Sequence, residues 1–159
     1  MADPGQADDW TLTLPADTVL DVDPNRLLPR DCLGVADTSF DFRVGRQIAD
    51  AEIDHALGDV SSSTPTASHR QRLWRATAAG DETCPWAQLH TTDLPGHPLH
   101  RSALALEPMT CPPDAFNSGT GVIKLHPGDR HDATGGSTPS MILSENMSSA
   151  GGSPRAPGH

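Results

Sequence analysis

The stretch SALALEPMTCPPDAFNSG, residues 102–119, carries the transition that decides the fold. Leu104 and Leu106 fall on one side of it, and Ala103, Ala105 and Glu107 on the other. That two-residue period is the period of a strand with one face in a core. Pro108 ends the alternation, and Pro112 and Pro113 keep the following segment rigid and without a repeating period. A residue before proline is held extended, so the direction of Glu107 at the strand end is well constrained.

The same arrangement recurs outward in both directions. Trp10, Leu12 and Leu14 alternate with Thr11 and Thr13 until Pro15, and Asp17–Val22 repeats the theme before the turn Asp23-Pro24-Asn25. Residues 27–41 read as loop with one short strand, and Phe40, Phe42 and Val44 alternate as a strand. Further strands are expected over 72–77, 86–91 and 122–125. Only IADAEIDHAL, residues 48–57, spaces its apolar residues like a short helix. DVSSSTPTASH, residues 59–69, has no apolar anchors and reads as loop. Many short strands between Pro/Gly turns, with little helix, predict an all-β chain of mostly antiparallel strands, a sandwich or part of a larger sheet structure. Residues 1–9 are expected to be a disordered lead-in, residues 10–134 the folded part, and the Gly/Ser/Pro-rich residues 135–159 a disordered tail.

Composition narrows the function. The 159 residues hold 11 basic and 21 acidic side chains, a net charge of −10 that repels phosphate backbones and anionic lipid. No nucleic-acid or membrane partner is therefore expected, and no apolar run reaches the roughly 20 residues of a membrane span. MADPGQADDW has no basic stretch leading into an apolar one, so no secretory signal is expected and the cytoplasm is the default location. Cys32, Cys84 and Cys111 are scattered and odd in number, which argues against a disulfide scaffold or a zinc ribbon. His90, His97 and His100 cluster, and His126 and His131 flank a Pro-Gly turn, but none has HExxH spacing or a cysteine pair, so no metal is expected.

Three side chains stand out as candidates. Glu107 shares its face with small alanines, which leave a hollow at whose rim a carboxylate could act on a ligand; the plain alternative is a solvated strand-end glutamate. Asp54, beside His55, is either an acceptor for substrate hydroxyls or a surface residue ending a turn. Gln88 falls on the side of Trp86 and His90. An aromatic ring beside an amide suits a sugar's apolar carbons and hydroxyls, and equally suits a strand showing its polar side.

Together, LTLPADTVLDVD (12–23), SFDFRVGRQIADAEIDHAL (39–57), PWAQLHTTD (85–93) and ALALEPMTCPPDAFNSGTGVIKLHPGD (103–129) resemble, in order, blocks of the C-terminal portion of the aldose 1-epimerase (galactose mutarotase) family. The resemblance covers most of residues 10–134, and its most specific block is LEPMTCPPDAFNSG. It implies a large antiparallel β-sandwich, or supersandwich, of which this chain is a part. It implies interconversion of the α and β anomers of free hexoses by general acid–base catalysis, with no cofactor and a small sugar as partner. By the resemblance Glu107 matches the base that takes the proton of the anomeric hydroxyl. Asp54 matches an aspartate that binds sugar hydroxyls, and Gln88 a glutamine that contacts the sugar. The family's acid histidine belongs to a His-Pro block upstream of the LTLPAD-like segment, where MADPGQADDW has no histidine. The chain is accordingly expected to be a truncated mutarotase lacking its acid, with a non-catalytic carbohydrate-binding remnant as the alternative.

Overall fold

The computed structural model describes residues 6–36, 38–61, 65–69, 74–80 and 82–141. Its strands are β1 (Thr11–Thr13), β2 (Thr18–Val22), β3 (Pro29–Gly34), β4 (Arg46–Gln47), β5 (Asp54–Gly58), β6 (Thr66–His69), β7 (Trp74–Gly80), β8 (Trp86–His90), β9 (Ala105–Met109) and β10 (Gly135–Met141). One helical turn, α1 (Ala115–Ser118), follows the prolyl loop. The strands form two five-stranded sheets, one ordered β10-β7-β6-β1-β4 and the other β3-β2-β5-β8-β9. Every described pairing is antiparallel. The expected all-β class is what the chain adopts.

The core lies between the sheets. Leu12 and the partly buried Ala67 come from the first sheet, and Val19, Leu57, Ala87, Leu89 and Leu106 from the second. Alternation then dictates the rest. With Leu57, Ala87 and Leu89 turned inward, Asp54, Ala56, Gln88 and His90 stand on the other face of the second sheet.

Several segments differ from expectation, each for a physical reason. Residues 48–57 form no helix. Ala49 has a left-handed φ of 53°, Ala51 closes a turn onto Ile48, and Asp54–Gly58 is a strand. β5 sits between β2 and β8, and ladder bonds on both edges outweigh the weak preference of a ten-residue helical pattern. Phe40–Val44 bends instead of extending, because the Asp41 carboxylate accepts the Arg43 N–H at 3.2 Å and Gly45 adopts a φ of 75°. Only Phe42 of that alternating trio is fully buried, and Val44 is exposed. Within 59–69, Thr66–His69 is a strand despite its polar sequence, since both its edges are paired, to β1 and β7. Val122–Leu125 is not a strand. Gly135–Met141, placed by composition in the tail, pairs along its whole length with β7. Ala7–Asp9 is a short 3-10 turn with Ala7 fully buried, although composition put residues 1–9 in a frayed lead-in. Residues 1–5 and 142–159 lie outside the described residues.

Candidate active site

The site is built on three neighbouring strands. In the β5–β8 ladder Asp54 stands opposite His90, and Ala56 opposite Gln88. In the β8–β9 ladder Gln88 stands opposite Glu107, and His90 opposite Ala105. Residues directly opposed in an antiparallel pair share a face with Cβ atoms about 4.5–5.5 Å apart, and diagonal neighbours stay within reach of long side chains. Asp54, Gln88 and Glu107, which lie 53 residues apart at their extremes in sequence, are thus placed side by side on the outward face.

Gln88 stands between the other two in the register and is bonded to one of them. Its Nε2 donates to Asp54 Oδ1 at 2.8 Å, which fixes the amide orientation and leaves Oε1 turned the other way. That oxygen is buried and has no hydrogen-bond partner among the described residues. A buried acceptor without a donor costs about 1–3 kcal/mol, so this amide is primed for one more hydrogen bond. His90 is half-buried, and its Nδ1 accepts the backbone N–H of Thr92 at 3.3 Å.

Trp86 closes the far end of the face. It stands opposite Gly58 on β5 and Met109 on β9. A Cβ at Gly58 would come within 2.7 and 2.8 Å of the indole Cζ3 and Cη2, so glycine is what lets the ring lie against the strand.

The surroundings of Glu107 differ from the expected desolvated hollow. Glu107 is exposed, Ala103 is exposed and Ala105 is half-buried. A groove of about 570 Å³ begins just past Glu107, lined in part by Cys84, Pro108, Met109 and Cys111, and includes none of the three candidates. Among the described residues, no group of three His, Cys, Asp or Glu side chains converges as metal ligands would. None of the described helices is long and apolar enough to cross a membrane.

Two residues beneath and beside the face were not found by sequence reasoning. Arg101 is almost fully buried and pairs with Asp8 and with Asp93, the latter at 2.5 Å. Its guanidinium also donates to the carbonyls of Ala49 at 2.6 Å and Ala51 at 3.2 Å. Burial pulls its pKa down, but the hydrogen bonds to Asp8 and Asp93 more than offset this, and the group is held above the ordinary arginine value. Arg101 thereby ties the connection between β8 and β9 to the N-terminal turn and to the entry of β5. Nothing local in the sequence signals this, because Asp8 is 93 positions away. His55, on the inward side of β5, packs against Phe40 with ring centroids 4.5 Å apart. Its Nδ1 accepts the Asp54 N–H at 3.1 Å, and burial pushes its pKa down against the opposing pull of Asp54 and Asp21.

With this geometry in view, comparisons with known proteins can be set beside it. A family model described as aldose 1-epimerase matches residues 2–136. YihR of Escherichia coli K12, itself described as uncharacterised, is 32% identical over 125 residues, which is 78% of this chain and 38% of YihR. The crystal structure of a GalM/aldose epimerase homologue from Caenorhabditis elegans superposes with a TM-score of 0.76 at 22% identity, covering 90% of this chain and 49% of that one. The galactose 1-epimerase of Lactobacillus acidophilus NCFM superposes with a TM-score of 0.57 at 17% identity, covering 87% of this chain and 46% of its own. The two structural likenesses speak to fold, and in each the chain spans about half the length of the protein it matches.

Proposed function

Because the chain belongs to the aldose 1-epimerase family, we propose that the outward face of β5, β8 and β9 binds a free hexose and serves the interconversion of its α and β anomers. The observation that carries this reading is the register, which sets Glu107 opposite Gln88 and leaves Gln88 hydrogen-bonded to Asp54. The three residue types divide the work as the chemistry requires. Glu107 accepts the proton of the anomeric hydroxyl, and that transfer weakens the bond from C1 to the ring oxygen. Asp54 accepts hydrogen bonds from hydroxyls further round the ring. Gln88 supplies through Oε1 the acceptor that its own fold leaves unpaired, once the amide rotates enough to meet a sugar hydroxyl.

The ring oxygen must gain a proton as the C1–O bond opens. Protonation of the ring oxygen falls to a group outside the three candidates. When the open-chain aldehyde turns about C1–C2 and the ring recloses on its other face, the attacking hydroxyl gives its proton back to that same group and Glu107 returns its proton to the new anomeric oxygen. An open face suits this, since the carboxylate loses its water only when sugar covers it.

Polarimetry of freshly dissolved α-glucose and α-galactose tests the proposal. The full chain is expected to raise the mutarotation rate above buffer, and Glu107→Gln to return it to the buffer rate. An unchanged rate in Glu107→Gln removes Glu107 from the base role. A wild-type rate equal to buffer, with retained hexose binding, favours a carbohydrate-binding chain that does not catalyse by itself.

A further inference from the structure

We propose that His90 is a sugar-binding residue of this site, donating its Nε2–H to a hydroxyl oxygen of the bound hexose. The inference rests on the sugar-binding reading of the face and adds a hydrogen-bond donor to it. A free hexose presents each hydroxyl as both donor and acceptor, so a site that holds it needs donors as well as acceptors. Asp54 and an ionised Glu107 only accept. The Gln88 amide spends one of its two N–H donors on Asp54, and its oxygen accepts. The Thr18 hydroxyl, on the same face, is committed to Asp59 at 3.0 Å.

His90 is placed to supply such a donor. It lies opposite Asp54 on one side and opposite Ala105 on the other, two positions along the strand from Gln88. Ala105 is small, so the imidazole is not walled off from the position diagonal to it, where Glu107 stands. The Thr92 N–H donates to Nδ1. An imidazole nitrogen that accepts a hydrogen bond carries no proton, so in the neutral ring the proton is on Nε2. The backbone thus sets the tautomer, and with it the nitrogen that donates. Half-burial limits the water that a ligand must displace from that donor.

The test titrates the full-length chain and the variants His90→Phe, His90→Gln and Asp54→Ala with glucose, galactose and their monodeoxy derivatives. Binding is followed by amide chemical shifts. His90→Phe is expected to weaken hexose binding about tenfold, the scale of one hydrogen bond, with most of the loss recovered in His90→Gln. One monodeoxy hexose should bind wild type and His90→Phe equally weakly, because protein group and sugar hydroxyl remove the same contact. Unchanged affinity in His90→Phe, while Asp54→Ala binds more weakly, overturns the role of His90 and leaves the sugar site standing. A loss in His90→Phe that couples to no deoxy position and is not recovered by glutamine makes the residue structural and also overturns it. Absence of hexose binding by wild type overturns the site itself and His90 with it. Independently of any variant, nitrogen-15 correlation spectra of the free chain should show the Nε2–H tautomer at His90, and an Nδ1–H tautomer refutes the proposal.

Discussion

Replacing Gly58 by alanine tests whether the Trp86 end of the proposed site is as tightly packed as its geometry indicates. In an open strand the change is favourable, since glycine is worth about 0.5–1 kcal/mol less than alanine in a strand interior. At Gly58 the new methyl would stand 2.6 Å from Thr18 Oγ1 and 2.7 and 2.8 Å from two ring atoms of Trp86. All three separations are far inside the roughly 3.5–4.0 Å of a relaxed contact. Neither neighbour yields easily. The Thr18 hydroxyl is bonded to Asp59 at 3.0 Å, and the indole is a rigid plate. Overpacking of this kind costs about 1–3 kcal/mol, and near its upper end for a double clash, so the net destabilisation is about 1–2 kcal/mol. For a chain of this size that lowers Tm by roughly 3–6 °C. Urea denaturation gives the free energy, and Trp86 is followed by comparing the emission of each protein with its Trp86→Leu counterpart. Gly34→Ala, at a strand position where a methyl meets nothing within 4 Å, is the control and should leave stability unchanged or raise it by up to about 1 kcal/mol. Trp86→Leu in the Gly58→Ala background should recover part of the loss. If Gly58→Ala is as stable as Gly34→Ala and Trp86 emission is unmoved, the indole does not lie against β5 and the account of the face is wrong.

Other outcomes follow from the same contacts. Arg101→Met should destabilise by about 3 kcal/mol in chemical denaturation, because Asp93 and two backbone carbonyls are left without their donor in a buried setting. Leu57→Ala, at a fully buried position between the sheets, should cost about 2–5 kcal/mol, whereas Leu99→Ala, on an exposed loop, should stay within about 0.5 kcal/mol of wild type. His55 is held neutral by burial, so the unfolded chain binds its proton at a higher pH than the folded one. Its contribution to stability is therefore full above the unfolded pKa of about 6.5 and is lost as pH falls through the lower folded value. Denaturation midpoints should drop across that window in wild type and drop less in His55→Phe. Gln88→Leu should weaken hexose binding several-fold with little loss of stability, since it removes the unpaired buried oxygen together with the bond to Asp54.

Local patterns in the chain were enough to establish that it is built from strands. Alternation at Trp10–Leu14, Asp17–Val22 and Trp86–Thr91 corresponds to β1, β2 and β8, because a strand's burial period is written into consecutive side chains. The blocks around Glu107, Gln88 and Asp54 were sufficient to suggest the family, since a prolyl strand end and an amide beside an aromatic ring are short-range features. Pairing was beyond them. Residues 48–57 look helical until β2 and β8 offer ladder bonds on both edges of Asp54–Gly58. Gly135–Met141 looks like linker until β7 supplies a partner. Val122–Leu125 is apolar at three of its four positions yet pairs with no described strand, since a short apolar run specifies burial but not a partner. What tertiary structure alone decided is which candidate side chains stand together: register, a relation between residues dozens of positions apart, sets Glu107 opposite Gln88, Asp54 opposite His90, and brings Asp8 to Arg101. A single strand's sequence specifies which side chains share a face, and only the neighbouring strand specifies whom they face.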